Sequence, residues 1–511
     1  MAKRDSTEKK KTLPAWRQGA DLIVTLAGAV LIALLIKAYI ADVYLIPSGS
    51  METALHGRPD GGDRIVSTKF TYRFRPVKRW EVAVFEFPYE TARRSDPVHM
   101  TEQYRGSNFV KRVVGLPGET LAIGRGDIWV RPNGGESYTR MVKPDQVQRS
   151  MWLNVYEENF RGISRDELNT YWNVTGNAAL ERGKPLTLTP SGDAAAQMEY
   201  RSRHPSPPNR NELVELPGIP DRYTLRQPVQ FRCNAALPSG EACGHVFVKT
   251  IQTQNMQARC PNCGTLLNET AAIFYHRRSG LPMVGRFAFA PAASRQGEPN
   301  PRATEYHIVP DLRVVADIRL ESEEAAFVVT LREDTRFVEA WFHGDGVIEL
   351  KKNGKTSEPI HRAVANLNPG TAHTVEFYIV DGTARAFVDS ESTPALDAPV
   401  WDDKRPFPRM LPQSSGVGLA ATGAPITIDS VVIDRDVFYY SGWEYERGDK
   451  FPRMNSQGEV FVDDASFFPM GDHAPSSYDA RSWGPVPLGN LRGPAILIWW
   501  PPERVRRIPS P

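Results

Sequence analysis

The amino-acid sequence predicts a mainly β protein with one transmembrane helix at its N-terminus and a β-sandwich inserted into a β-rich core. The chain has 511 residues with 39 Gly and 42 Pro spread along it, a composition that favours many short strands joined by turns. Only one apolar run is long enough to cross a bilayer. A long strand-rich stretch separates Lys111 from Gly471. At roughly 150 residues per domain, the length predicts about three domains.

The charge balance excludes several classes of partner. The chain carries 62 basic and 60 acidic residues, for a net charge of +2, and no long basic stripe interleaved with aromatics lies outside the N-terminus. Nucleic acid is therefore not an expected partner. With 24% charged and 41% hydrophobic residues, most of the chain is typical of a soluble globular protein, so the membrane segment is local.

The apolar run from Leu22 to Ile36 predicts a membrane anchor. It extends through Lys37, whose long stem can snorkel, to Ile40, and so reaches the roughly 20 residues that a bilayer requires. Six basic residues precede it: Lys3, Arg4, Lys9, Lys10, Lys11 and Arg17. Such a flank stays cytoplasmic, which predicts a tail over 1–19, an anchor over 20–41 and an exported remainder. A cleavable signal peptide is the alternative, although no small-x-small pattern follows the run directly.

A candidate nucleophile follows the anchor in Ser48-Gly49-Ser50-Met51. A serine hydroxyl becomes a good nucleophile only when a neighbouring base removes its proton, and Gly49 would let a substrate backbone approach closely. Ser-Gly-Ser is also common in plain turns. The motif alone is therefore a weak signal.

A candidate base lies in the strand-like run from Phe109 to Gly118. Strand alternation places Phe109, Lys111 and Val113 on one face, so Lys111 projects among apolar side chains. Burial would lower the lysine pKa from its usual value of about 10.4 and allow the amine to act as a base. A snorkelling lysine on an edge strand is the alternative.

A third motif runs from Gly471-Asp472-His473-Ala474 to Arg481 and predicts a strand, a turn and another strand. In an extended chain Ser477, Asp479 and Arg481 share one face, where an Asp–Arg pair could form and Ser477 could hold the lysine amine. An ordinary surface ion pair is the alternative.

In this order and after an anchor, these three motifs resemble those of type I signal peptidases. The resemblance implies that Ser50 is the nucleophile and Lys111 the general base of a Ser–Lys dyad. It makes Ser48 an oxyanion-hole donor beside the Ser50 amide and Ser477 the group that orients the lysine. The structural support that it implies consists of Gly471, Asp472, Asp479 and Arg481.

The resemblance also implies a function and a location. The family removes N-terminal signal peptides from exported preproteins, after small residues of the Ala-x-Ala type, and needs no cofactor for catalysis. We therefore expect preproteins and the lipid bilayer as partners. The expected location is the bacterial cytoplasmic membrane, with a single pass, a cytoplasmic N-terminus and the catalytic domain on the periplasmic side.

The resemblance covers residues 16–135 and 438–502, and several positions depart from the family pattern. Glu52-Thr53 follows Met51 where x-Pro-Thr is usual, and Trp80-Glu81 and Gly118-Glu119 each replace Gly-Asp. His473-Ala474 stands where Asn-Arg is common; we expect no catalytic role for His473. These changes leave one alternative open, a catalytically degenerate membrane-tethered protein that binds ligands through its β-sandwich.

Four cysteines in the insertion predict a metal-binding module. Cys233 and Cys243 form one pair, and Cys260-Pro-Asn-Cys263 matches a zinc knuckle. Four thiolates would fill a tetrahedral site and leave no position for water, so a zinc ion here would be structural. Because an exported domain can also form disulfides, disulfide pairing is the alternative.

The rest of the insertion predicts a β-sandwich of the concanavalin or laminin-G kind. Its strand-like runs are Leu312–Leu320, Ala326–Leu331, Phe337–Phe342, Gly346–Lys351, Thr374–Val380, Arg385–Val388, Gly416–Ala420 and Ile426–Asp434. We expect the stretch from Trp152 to Leu188 to supply the first strands of this sandwich. The zinc ribbon would then be nested inside the sandwich. Such a fold could bind a protein or a carbohydrate, or act as a spacer.

The predicted boundaries follow from these motifs. They divide the chain into a core over 42–148 and 438–502, a sandwich over 149–225 and 273–437, a ribbon over 226–272 and a C-terminal tail over 503–511.

Overall fold

The computed structural model shows the predicted anchor segment as a helix that leads directly into the first strand. The described residues are 15–57, 62–93, 102–205, 213–215, 228–233, 246–250, 258–259, 266–267, 272–275, 308–353, 358–389, 393–406, 411–441, 454–455, 457–474 and 477–511. Helix α1 (Ala15–Leu35) continues as a π-helical turn over Ile36–Ile40. Its window Ile23–Ile40 has a mean hydropathy of 2.4, long and apolar enough to cross a membrane.

The described residues contain five further α-helices, each of seven residues or fewer. They are α2 (Thr71–Phe74), α3 (Tyr89–Arg93), α4 (Asp145–Gln148), α5 (Arg165–Tyr171) and α6 (Ala480–Trp483).

Strands are the commonest regular element among the described residues. The strands up to residue 205 are β1 (Ala41–Leu45), β2 (Arg64–Thr68), β3 (Val82–Glu86), β4 (Asn108–Gly115), β5 (Glu119–Gly124), β6 (Asp127–Pro132), β7 (Thr139–Arg140), β8 (Leu153–Asn159), β9 (Trp172–Thr175), β10 (Asn177–Ala179), β11 (Leu186–Thr189), β12 (Ala196–Tyr200) and β13 (Arg203–Pro205). Short strands follow: β14 (Leu213–Glu215), β15 (Pro228–Cys233), β16 (Val246–Thr250), β17 (Ala258–Arg259), β18 (Leu266–Leu267) and β19 (Ala272–Tyr275).

The remaining strands complete both halves of the molecule. They are β20 (Leu312–Leu320), β21 (Ala326–Glu333), β22 (Arg336–His343), β23 (Val347–Lys352), β24 (His361–Val364), β25 (Ala372–Val380), β26 (Thr383–Val388), β27 (Leu396–Pro399), β28 (Ser415–Thr422), β29 (Ile426–Arg435), β30 (Glu459–Val462), β31 (Ser466–Met470), β32 (Val486–Pro487), β33 (Leu491–Trp500) and β34 (Arg506–Arg507).

Two antiparallel sheets form the core that carries the three motifs. One has the order β1-β2-β33-β3-β4-β31-β32, with β34 paired to β33, and the other has the order β30-β5-β6-β7. The core therefore combines strands from the two ends of the chain. Phe85, Val113 and Phe467 pack in its larger apolar cluster, while Ile65, Val84 and Ile498 pack in a smaller one.

Two further sheets face each other as a sandwich. Their orders are β10-β11-β29-β20-β25-β26-β27, with β8 paired to β29, and β24-β23-β22-β21-β28-β12-β9. Inward residues alternate along each strand, as in β20, where Leu312, Val314 and Ala316 are buried between the sheets. The predicted mainly β fold and its sandwich are confirmed, and every predicted sandwich strand is present.

Salt bridges join the core to the sandwich. Lys143 follows β7 of the core, and its Nζ lies 2.6 Å from Asp381 Oδ1 and 2.9 Å from Asp436 Oδ2, both in segments that end sandwich strands. Gln148 Nε2 donates to Asp436 Oδ1 at 2.7 Å. All four residues are buried. We call this contact the core–sandwich interface.

Two sequence predictions need separate comment. The prediction of a second strand after Gly471 is wrong, because Asp479 caps α6 by accepting the Arg481 N–H, which starts a helix there. The predicted zinc ligands lie outside the described residues, apart from the backbone of Cys233 at the end of β15.

Candidate active site

Ser50 and Lys111 meet at the surface of the core. Ser50 lies in the 3-10 turn Gly49–Met51 after β1, and Lys111 lies in β4. The Lys111 Nζ donates to the Ser50 Oγ at 2.6 Å. Residues 61 positions apart are thus in direct contact, at a distance that a nucleophile and its general base would require.

The sequence around Ser50 holds its turn in place. Met51 is buried, and its carbonyl accepts the N–H of Leu55 at 2.9 Å. On the other side of the site, the N–H of His473 donates to the Ser50 carbonyl at 3.1 Å. The Ser50 backbone is therefore fixed by its own loop and by the segment between β31 and α6.

The Lys111 side chain has an environment that favours its neutral form. It is only 4% exposed, and β4 lies inside the sheet, paired with β3 on one side and β31 on the other. Burial lowers the pKa of Lys111 to about 8, although the nearby Asp479 carboxylate acts in the opposite direction. An amine with this pKa is partly unprotonated near neutral pH, as a general base must be.

Ser48 also lies at the site. Its Oγ is 3.4 Å from the Ser50 Oγ, on the exposed side of the turn. A hydroxyl there can face an oxygen that gains charge when Ser50 attacks a carbonyl. Gly57 supports this residue in a way that the sequence did not suggest, since a Cβ on Gly57 would lie 1.8 Å from the Ser48 carbonyl oxygen.

Ser477 lies beside the dyad without a hydrogen bond to it. Its Oγ is buried and has no hydrogen-bond partner within the described part of the chain. A Cβ on Gly471 would lie 2.2 Å from this Oγ and 2.4 Å from the Ser50 carbonyl oxygen. Only glycine fits at 471, and its absent side chain is what lets Ser477 and Ser50 approach each other.

Asp479 and Arg481 form a fully buried ion pair below the site. The guanidinium binds both carboxylate oxygens, at 2.9 and 2.8 Å, and both side chains are 0% exposed. Burial raises the pKa of Asp479, but Arg481 outweighs it, so the pKa lies below its usual value. Asp479 also accepts the N–H of Gly471 at 3.1 Å, and Arg481 donates to the Ala474 carbonyl at 2.7 Å. The pair thus holds the loop that contacts Ser50.

Asp472 has a partner that the sequence analysis missed. Its two carboxylate oxygens accept from Arg112 Nε and a terminal guanidinium nitrogen at 2.7 and 2.6 Å, with both side chains buried. Arg112 also donates to the Trp80 carbonyl at 2.7 Å. The neighbour of Lys111 therefore ties β4 to the third motif. The sequence did contain a signal for a second contact. Arg112 directly follows Lys111 in a strand, so its side chain must point to the opposite face of the sheet.

The positions that depart from the family pattern have local partners. Glu119 binds Arg79 through two hydrogen bonds of 2.8 and 2.7 Å, and Glu81 accepts from Arg75 at 2.8 Å. His473 is buried, and burial together with Arg435 and Lys111 lowers its pKa to about 4. It is therefore uncharged at neutral pH and adds no positive charge beside Lys111.

One acidic cluster lies at the core–sandwich interface. Asp127, Asp311 and Asp381 have carboxylate oxygens within 4.8 Å of one another. The Lys143 ammonium contacts Asp381, and Arg140 contacts Asp127 at 3.2 Å, so two cations of the chain already face this cluster. Neither cation belongs to the Ser50 site.

Comparisons with known proteins give sequence matches to one peptidase family. The family described as "Signal peptidase, peptidase S26" matches residues 19–181 and 420–500, on either side of most of the sandwich. A probable signal peptidase I-2 from Synechocystis sp. is 31% identical over 24% of this chain and 51% of its own length. Signal peptidase I from Leptolyngbya laminosa is 34% identical over 24% of this chain and 55% of its own length.

The chain thus spans about half the length of these curated relatives. Among solved structures, a galectin from Caenorhabditis elegans is similar over 24% of this chain and 83% of its own, at 15% identity and a TM-score of 0.19. A score that low supports no inference about the sandwich. Over these segments the chain is therefore similar in sequence to the signal peptidase family, peptidase S26.

Proposed function

We propose that the protein is a membrane-bound serine endopeptidase that removes N-terminal signal peptides from exported preproteins by a Ser–Lys dyad mechanism. The observation that carries this proposal is the 2.6 Å hydrogen bond between Lys111 Nζ and Ser50 Oγ, with the lysine buried and its pKa lowered. A structural lysine needs neither the burial nor a serine partner at the surface.

In the proposed mechanism, the neutral Lys111 amine takes the proton of the Ser50 hydroxyl as Ser50 attacks the scissile carbonyl. The Ser50 N–H and the Ser48 hydroxyl stabilise the oxyanion. Lys111 then gives its proton to the leaving amine, which leaves an ester on Ser50. Lys111 next activates a water molecule, which hydrolyses the ester and releases the cleaved chain.

The supporting residues have proposed roles of their own. Ser477 orients the Lys111 amine, which is compatible with its buried, unbonded Oγ beside Gly471. Gly471, Asp472, Asp479 and Arg481 keep the loop against Ser50. By family resemblance, the substrate has small residues of the Ala-x-Ala type before the cleaved bond.

The proposed setting is the bacterial cytoplasmic membrane. Basic residues precede the helix whose window Ile23–Ile40 is apolar enough to span, which favours a cytoplasmic N-terminus and a periplasmic active site. The domain boundaries given by the sequence, a structural zinc at the four cysteines and a protein or carbohydrate ligand of the sandwich are further parts of this proposal. No cofactor takes part in the proposed catalysis.

The direct test replaces Ser50 or Lys111 with Ala in the full chain and follows cleavage of a reporter preprotein. Each variant should lose all detectable processing. Ser191→Ala and Lys184→Ala, two exposed residues outside the site, are the matched controls and should process normally. Normal processing by either dyad variant would refute the assignment.

A serine-reactive acylating probe separates an active enzyme from a degenerate binding protein. The wild type should be labelled at Ser50, and Lys111→Ala should not. An unlabelled wild type would favour the degenerate alternative.

A further inference from the structure

A cleft lies on the outer face of the seven-stranded sheet of the sandwich, at the end formed by β22, β23 and β24. Its volume is about 360 Å³, within the range of roughly 300–1,000 Å³ that is common for small-molecule sites. The polar residues that line it are His343, Asp345, Glu349 and Arg362, and the apolar ones include Val347 and Val364. It is open to solvent, so a long ligand could extend beyond it.

Strand register brings the polar residues of the cleft together. Glu349 pairs with Trp341 on one side and with Arg362 on the other, so the three side chains form one row across the sheet. The alternate residues Ile348 and Leu350 face the sandwich core and are fully buried. The row therefore lies on the solvent-facing side of the sheet, outside the sandwich core.

Glu349 is held in place before any ligand arrives. The residue is 6% exposed although it lies on the outer face, and its carboxylate accepts from Arg362 Nε at 2.7 Å and lies 3.2 Å from Lys351 Nζ. Burial raises the pKa of Glu349, but Arg362 and Lys351 outweigh it, so the group stays ionised. The Arg362 side chain is 67% exposed and keeps N–H groups directed to solvent.

Trp341 holds the ammonium group of Lys351, the second cation beside Glu349. Lys351 Nζ lies 3.8 Å from the centre of the Trp341 ring, and the indole N–H donates to Glu339 at 3.2 Å. The charged groups around the cleft are thus oriented by their neighbours, and a ligand would not have to order them.

The charges identify the class of ligand. Of the residues that line the cleft, Asp345 and Glu349 are acidic and Arg362 is basic, and Glu349 is neutralised by both Arg362 and the neighbouring Lys351. The cleft therefore has no excess of positive charge that would select an acidic ligand. An apolar ligand would leave these donors and acceptors unpaired, at a cost in binding energy. A sugar ring has hydroxyls that both donate and accept, together with apolar C–H faces that suit Val347 and the 80% exposed Val364.

We infer that this cleft binds a neutral carbohydrate through Asp345, Glu349 and Arg362. This inference depends on the sandwich alone, and it would hold even if the peptidase assignment were wrong.

The test measures binding of the full detergent-solubilised chain to immobilised neutral oligosaccharides built from hexoses or N-acetylhexosamines. The wild type should bind at least one of these probes, with little dependence on salt concentration. Arg362→Gln and Asp345→Asn should each weaken that binding about tenfold or more, because each removes a charged hydrogen-bonding group. Both positions are exposed, so folding should persist, as an unchanged melting temperature would show.

Arg332→Gln is the matched control. Arg332 is another exposed, ion-paired arginine of this sheet, bound to Glu199 at 3.1 Å and outside the cleft lining. Its binding should stay within about twofold of the wild type. Three results would each overturn the inference: no probe bound at millimolar concentration, equal binding by the cleft variants, or binding only to acidic polysaccharides that salt abolishes.

Discussion

Lys111 combines burial with a nearby hydroxyl, and its pKa of about 8 makes the proposed activity depend on pH. The base must be neutral, and below its pKa the neutral fraction grows about tenfold per pH unit. We expect kcat/KM for a signal-peptide substrate to rise through pH 7 and level off above about pH 8. A pH–rate profile on the detergent-solubilised protein measures this. An inflection above pH 10, where an ordinary lysine titrates, would contradict the assignment of the base.

Gly471 gives a second prediction at the scale of one residue. In Gly471→Ala the new methyl group would overlap the Ser50 carbonyl and the Ser477 Oγ, so the loop at 471 or Ser50 itself must shift and disturb the Ser50–Lys111 contact. Because a displacement of about 1 Å can cost about 100-fold in rate, we expect kcat/KM to fall by about that factor or more. Gly489→Ala, where a Cβ meets no atom within 4 Å, is the control and should keep wild-type activity. A fully active Gly471→Ala would show that this close approach does not matter.

Individual residues of the site differ in how far sequence could predict them. Lys111 was predictable because strand alternation fixes which side chains share its face. The Arg112–Asp472 pair was not, since its members are 360 positions apart and only the fold brings them together. Ser477 was predicted to hold the lysine amine, yet its Oγ has no hydrogen-bond partner among the described residues.

Among the elements, strands were predictable and the short helices were not. Sandwich strands such as β20 alternate buried and partly exposed residues, and this period of two is visible in the sequence. Helix α6 has four residues, too few for a helical period, and its start depends on the Asp479 cap. Helix α1 was predictable from its long apolar run.

Helix α1 and the strand after it lead to a prediction about orientation. If the anchor spans once with its basic flank inside, protease added to spheroplasts should digest the part after residue 41 and spare an epitope placed at the N-terminus. Immunoblotting against the epitope and the core follows both fragments. Permeabilised spheroplasts are the control, in which the epitope should also be lost. Loss of the epitope in intact spheroplasts would show that the N-terminus lies outside, opposite to the proposed orientation.

At the scale of the whole molecule, the core–sandwich interface makes stability depend on pH. Burial, reinforced by the Asp381 carboxylate, raises the pKa of Asp127 to about 7, although Arg140 opposes the shift. An unfolded Asp titrates near pH 3.9, so between about pH 4 and 7 the folded state binds more protons than the unfolded state. The free energy of unfolding should therefore fall as pH rises through this window.

Asp127→Asn tests this contribution. The variant cannot ionise at 127, so its stability should decline less between pH 4 and 7, by up to about 4 kcal/mol. Asp403→Asn is a control in which the pH dependence of stability should change in the opposite direction. Partial burial raises the pKa of Asp403, but Arg336 outweighs burial and lowers it. That variant should lose stability at pH values above about 4. Thermal unfolding across pH 4–9 measures both, and an unchanged profile for Asp127→Asn would exclude the carboxylate as the source.

The two ends of the sandwich are neighbours in space. Leu153 pairs with Arg435 and Asn154 with Asp434 on adjacent antiparallel strands. Paired residues of this kind are about 5 Å apart, so a short turn could connect the core chain directly across the gap. A gene that encodes the core could therefore gain, lose or exchange this module in one recombination event, with the path of the core chain unaltered.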